Sequence, residues 1–85
     1  MPTHLSPVST SGQLGPVLRS LRKAQKLSQA ELGQRIGLSQ ERISAIERKP
    51  ELISVDQLLS VLMALGAELV VQPKAEVSSP EWGTW

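Results

Sequence analysis

With 85 residues, no cysteine and one histidine (His4), the chain has room for one small domain with a thin core, and disulfides, thiolate metal sites and histidine metal clusters are excluded. That residue set makes a poor enzyme, so no catalytic residue, metal or cofactor is expected. The net charge of +1 conceals a division: residues 1–49 carry eight basic side chains (Arg19, Arg22, Lys23, Lys26, Arg35, Arg42, Arg48, Lys49) against Glu31, Glu41 and Glu47, a net +5, whereas residues 50–85 carry Lys74 against Glu51, Asp56, Glu68, Glu76 and Glu81, a net −4. A basic half joined to an acidic half suits a protein with two kinds of partner.

Residues 1–11, MPTHLSPVSTS, show no periodicity and read as a flexible N-terminal arm. A first helix is predicted from near Ser11 to about Lys26, with Leu14, Val17, Leu18 and Leu21 at helical spacing and Pro16 tolerated in the first turn. The stretch Ser28–Glu47, SQAELGQRIGLSQERISAIE, carries the strongest signal. Ser28 and Glu31 form a capping box, and Ala30, Leu32 and Ile36 an apolar stripe. Gly33 leaves room for a second helix to press on the first, and Gly37 can take the positive φ of a tight exit. Leu38 plugs the turn, Ser39 caps again, and Ile43 and Ile46 supply the next buried face. This is a helix-turn-helix, whose second helix lies in the major groove of DNA. An ordinary helical hairpin with a solvated outer face is the plain alternative. The combination of small residue, glycine, plug and two isoleucines argues against it.

After a loop at Lys49-Pro50-Glu51, Ser54-Val55-Asp56-Gln57 offers another capping box. Leu58, Leu59, Val61, Leu62 and Leu65 then build a fourth helix, apolar around much of its circumference and ended by Gly66. That is more apolar surface than one small core needs, which predicts burial against a second protomer. Residues 67–72, AELVVQ, read as a strand stopped by Pro73. A lone strand cannot satisfy its own backbone groups, so the expected partner is the same segment of another copy; the alternative is an extended tail on the surface. Residues 74–85, KAEVSSPEWGTW, read as disordered in isolation and hold the only aromatics, Trp82 and Trp85. These indoles either fold back onto the domain or anchor in a pocket of another protein. No stretch reaches the length of a membrane span, and the N-terminus has neither the basic start nor the apolar run of a signal peptide, so a cytoplasmic, nucleoid-associated protein is expected.

Over residues 12–66 the chain resembles the phage-repressor-like (XRE) helix-turn-helix family. With the link RKPE, the apolar helix before Gly66, AELVVQ and an acidic tail holding tryptophan, the whole resembles the HipB-like antitoxins within it. The resemblance implies an all-α fold: a four-helix DNA-binding domain (12–66) with a short C-terminal strand (67–73) pairing across a homodimer, flanked by the arm (1–11) and the tail (74–85). It further implies a repressor that binds operator DNA, controls its own operon and holds a HipA-like kinase toxin inactive. By the same resemblance Gln29 contacts a phosphate, and Arg22 and Glu47 form an ion pair linking the first helix to the end of the recognition helix. Ser39, Gln40, Glu41 and Ser44 lie on the exposed recognition face. Gln40 is the best base reader, because a glutamine amide pairs bidentately with adenine. Glu41 departs from a simple phosphate-binding face and suits either cytosine N4 or discrimination by repulsion. Arg42, Arg48 and Lys49 are expected phosphate contacts, and Trp82 and Trp85 contacts to a protein partner. A stand-alone regulator without a toxin, and a protein-interaction module without DNA binding, are the alternatives.

Overall fold

The computed structural model describes residues 7–73. Four α-helices follow in chain order: α1 (Ser11–Ala24), α2 (Gln29–Ile36), α3 (Gln40–Arg48) and α4 (Val55–Ala64), with a 3-10 turn, Pro50–Leu52, between the last two. The expected all-helical domain is present. The expected strand over 67–72 is not: residues 67–73 have no regular secondary structure in the single chain, where no ladder partner is available to them. His4, Trp82 and Trp85 lie outside the described residues, as does most of the arm.

Short polar side chains start three of the helices. Ser28 Oγ accepts the Glu31 N–H at 3.0 Å while the Glu31 carboxylate accepts the Ser28 N–H at 2.8 Å, completing the expected box. That backbone N–H, followed by the Ser28 hydroxyl, holds the Glu31 carboxyl below its ordinary value. Ser39 Oγ caps α3 through the Arg42 N–H at 3.1 Å, and Ser54 Oγ caps α4 through the Gln57 N–H at 3.0 Å. The second half of the expected box at α4 does not form, because Gln57 Oε1 accepts instead from Arg42 Nη2.

α1 ends at Ala24, two residues before the expected Lys26, because the chain turns out through a left-handed residue. Lys26 has φ of 60°, its N–H bonds to the Lys23 carbonyl at 2.9 Å, and the Leu27 N–H reaches the Arg22 carbonyl at 3.2 Å. These two bonds make a Schellman exit with lysine where glycine is usual. The same motif closes α4 with Gly66 at φ 70°, Gly66 N–H to Met63 O at 3.1 Å and Ala67 N–H to Leu62 O at 2.9 Å. Pro16 sits at the sixth helical residue, beyond the expected first turn, where its missing N–H removes one helical bond to Gly12.

The core is aliphatic: Leu18, Leu32, Ile43, Ile46, Val61, Leu62 and Leu65 are buried, with Leu14, Leu21, Ile36, Leu38 and Leu58 packed against them. Ala30 is exposed, correcting the predicted stripe on α2. It stands about 200° around the helix from Leu32, whereas Ile36, one turn on, shares its side. α4 buries one side and leaves another bare: Val55, Leu59 and Met63 are exposed at helical spacing. The carbonyl end of α4, which has no basic residue in its last turn, is held from outside by Gln25 Nε2 on Leu65 O at 3.1 Å and Arg35 Nη1 on Ala64 O at 3.5 Å. Among the described residues no helix is long and apolar enough to cross a membrane.

Candidate nucleic-acid interface

α2 and α3 pack closely because no side chain intervenes at their turn. A Cβ on Gly33 would run into the Leu38 carbonyl oxygen, so the glycine admits the turn before α3 rather than the second helix itself. Gly37 leaves α2 at φ of 74° and the Leu38 N–H returns to the Gly33 carbonyl at 2.8 Å. Leu38 is half-buried as the plug, and Ile43 and Ile46 are each 1 % exposed.

A second close approach sets the angle of α3 against α1. The Cβ that Gly15 lacks would meet the Glu47 carbonyl oxygen, so the backbones of the two helices touch there. Two turns further along α1, Arg22 and Glu47 form the expected ion pair, Nε to Oε2 at 2.6 Å and Nη2 to Oε1 at 3.3 Å. Both residues are buried, and Arg22 Nη1 also donates to the Leu27 carbonyl at 2.8 Å. With every hydrogen-bonding face engaged, the desolvated charges are satisfied.

From this pair a line of polar groups runs outward. Gln29 Nε2 donates to Glu47 Oε1 at 3.1 Å, and Gln40 Nε2 lies 3.5 Å from Gln29 Oε1. The first residue of α2 and the first of α3 are thereby joined and tied to the core. Of the remaining candidates, Ser39, Glu41, Arg42, Arg48 and Lys49 are exposed, while Ser44 is half-buried and Ser39 Oγ is occupied as a cap. Arg42 leans toward Gln57 of α4, and with Arg48, Lys49, Ala45, Leu52 and Ile53 it lines a shallow cleft. The candidates thus fall into two groups, glutamines over the buried pair and cations around the cleft. Arg19, which sequence reasoning passed over, places its Nε 3.6 Å from Glu47 Oε1 with 42 % of its side chain exposed. Its position three residues before Arg22 on the same helix face is the signal that points to it.

Donors, cations and side-chain amides are the groups that engage phosphates and base edges. A helix-turn-helix family profile matches residues 18–71. An uncharacterised HTH-type transcriptional regulator, y4dL, of Sinorhizobium fredii is 47% identical over 57 residues, 67% of this chain and 29% of that protein. The chain therefore spans under a third of that relative's length. No solved structure matches it.

Proposed function

The chain belongs to the phage-repressor-like helix-turn-helix family of DNA-binding domains, and from that premise we propose that it is a sequence-specific, dimeric transcriptional repressor that also serves as the antitoxin of a HipA-like kinase. The observation that carries the DNA-reading part is the joined pair Gln29–Gln40 at the start of the two motif helices, anchored to buried Glu47. Gln40 reads adenine in the major groove, Gln29 holds a phosphate, and Arg42, Arg48 and Lys49 add cation contacts. Ser39 caps the same helix and Glu41 and Ser44 lie on it, with Glu41 discriminating among bases.

Dimerisation is supported by the bare face of α4, where Val55 and Met63 are 65% and 77% exposed. A second copy laid on that face, with residues 67–72 pairing across the two-fold, buries what one domain leaves open. The recognition helices then stand roughly 34–36 Å apart, one turn of duplex. Sedimentation at micromolar concentration is expected to show a dimer; a folded monomer there contradicts this arrangement. The antitoxin role draws support from the net −4 of residues 50–85 and the two tail tryptophans, which suit a protein partner better than DNA. A stand-alone regulator is the second reading, favoured by the matched residues 18–71 stopping short of the tryptophans.

The DNA-reading role is tested by selection from a pool of duplexes with about 20 randomised base pairs, two turns of helix. Gln40→Ala is expected to cost about 1–3 kcal/mol on the selected sequence and to flatten preference at one base pair, whereas Arg48→Ala weakens all sequences alike. Unchanged affinity and preference in Gln40→Ala would remove that residue from the interface.

A further inference from the structure

Glu47 is 3 % exposed, and an ionised carboxylate accepts hydrogen bonds but donates none. Its two oxygens are fixed by Arg22, and Arg22 is fixed in turn by the Leu27 carbonyl. Gln29 borders this immobile acceptor. Its amide is nearly symmetrical in shape, so packing alone does not choose between its two orientations. The carboxylate does: only the NH2 end can face Glu47, at 3.1 Å, which turns Oε1 of Gln29 outward. That oxygen is an acceptor, so Gln40 presents Nε2 to it, at 3.5 Å. Donors along the whole line, from Gln40 through Gln29 to Glu47, point inward.

We propose that Glu47 is a positioning residue for base reading: by forcing one orientation on Gln29 it forces one on Gln40, and so sets adenine as the base preferred at that position. The inference rests on the reading of Gln40 given above. With one N–H of Gln40 turned to Gln29, its Oε1 and its second N–H remain, and this acceptor–donor pair matches the N6 amine and N7 of adenine. The second N–H of Gln29 is likewise left for a phosphate oxygen. A reversed Gln29 would show that phosphate an oxygen and would let Gln40 turn over.

The test is base preference, measured with the full chain on the randomised duplex pool, with folding followed by circular dichroism. Glu47→Gln can donate or accept, so both amides become free to reverse. Adenine preference at the position read by Gln40 is expected to fall about tenfold, while preferences elsewhere in the site persist. Gln29→Met breaks the same line without touching the buried pair, and is expected to give the same loss if Glu47→Gln fails to fold. Arg22→Lys loosens the ion pair yet leaves the carboxylate facing Gln29, so adenine preference is retained. The proposal is overturned if Glu47→Gln and Gln29→Met keep the preference that Gln40→Ala abolishes, or if Arg22→Lys loses it equally, since general loosening would then be the cause. If Gln40→Ala itself alters no preference, the underlying reading falls and this inference with it.

Discussion

Lys26 holds a left-handed φ of 60° at the exit of α1, where its Cβ crowds the backbone and glycine would not. Lys26→Gly is therefore expected to stabilise the domain by about 0.5–1 kcal/mol, after the greater freedom of glycine in the unfolded chain is subtracted. A urea midpoint that fails to rise would show that the lysine is unstrained. Single residues differ in how much they disclose before folding. Gly37 discloses its positive φ because glycine is the residue that adopts it freely; Lys26 gives no such sign, and the predicted helix overran it. Glu47 was paired with Arg22 by family resemblance, but its bond to Gln29 joins residues 18 apart on different helices. No periodicity within either helix carries that information.

Helices are positioned by what their backbones omit. At Gly15 α1 meets the carbonyl of Glu47, whereas Gly12, one turn earlier, has only the Thr10 hydroxyl oxygen nearby at 3.8 Å. Gly15→Ala is expected to destabilise by about 1–3 kcal/mol by pushing α3 from α1, and Gly12→Ala to be neutral or mildly stabilising through helix propensity. Thermal melts of the two variants check this; equal effects would mean that the contact at Gly15 yields easily. The α2–turn–α3 unit was legible because its capping serines, exit glycine and isoleucine pair follow one another within a single short stretch, Ser28 to Ile46. The backbone approach of α1 to α3 at Gly15 was not, since Gly15 looks the same in sequence as Gly12. Residues 67–72 carry the β-branched Val70 and Val71 of a strand, yet a strand exists only with a ladder, and that condition lies outside one chain.

For the molecule as a whole, the basic half and the acidic half suit different partners, which is the division the proposed function draws on. The described core is closed by aliphatic side chains of α1 to α4, and acidic groups are repelled by phosphate. Removing residues 74–85 is expected to leave the selected DNA sequence and its affinity nearly unchanged, while weakening capture of a HipA-like kinase by about 2 kcal/mol or more if a tryptophan anchors it. Calorimetry on the full and shortened chains measures both. Equal kinase affinity would end the anchor role, and loss of folding would place the indoles in the core. Composition and charge disclosed this division at once; which face of α4 stays bare did not follow from them, since its leucines and valines encircle the helix.

The outside support of α4 has a consequence for the order in which the domain opens. Its last carbonyls depend on Gln25, just past α1, and on Arg35 of α2, so its final turn is completed by its neighbours. Backbone groups stabilised in this way open together with the elements that hold them. Amide hydrogen exchange is therefore expected to give Leu65, Gly66 and Ala67 protection close to that of the α1 and α2 amides, although helix ends ordinarily fray. Gln25→Ala should let these three exchange sooner while α3 keeps its protection. Uniformly fast exchange at this turn in the unaltered protein would show that the three helices do not open as one unit.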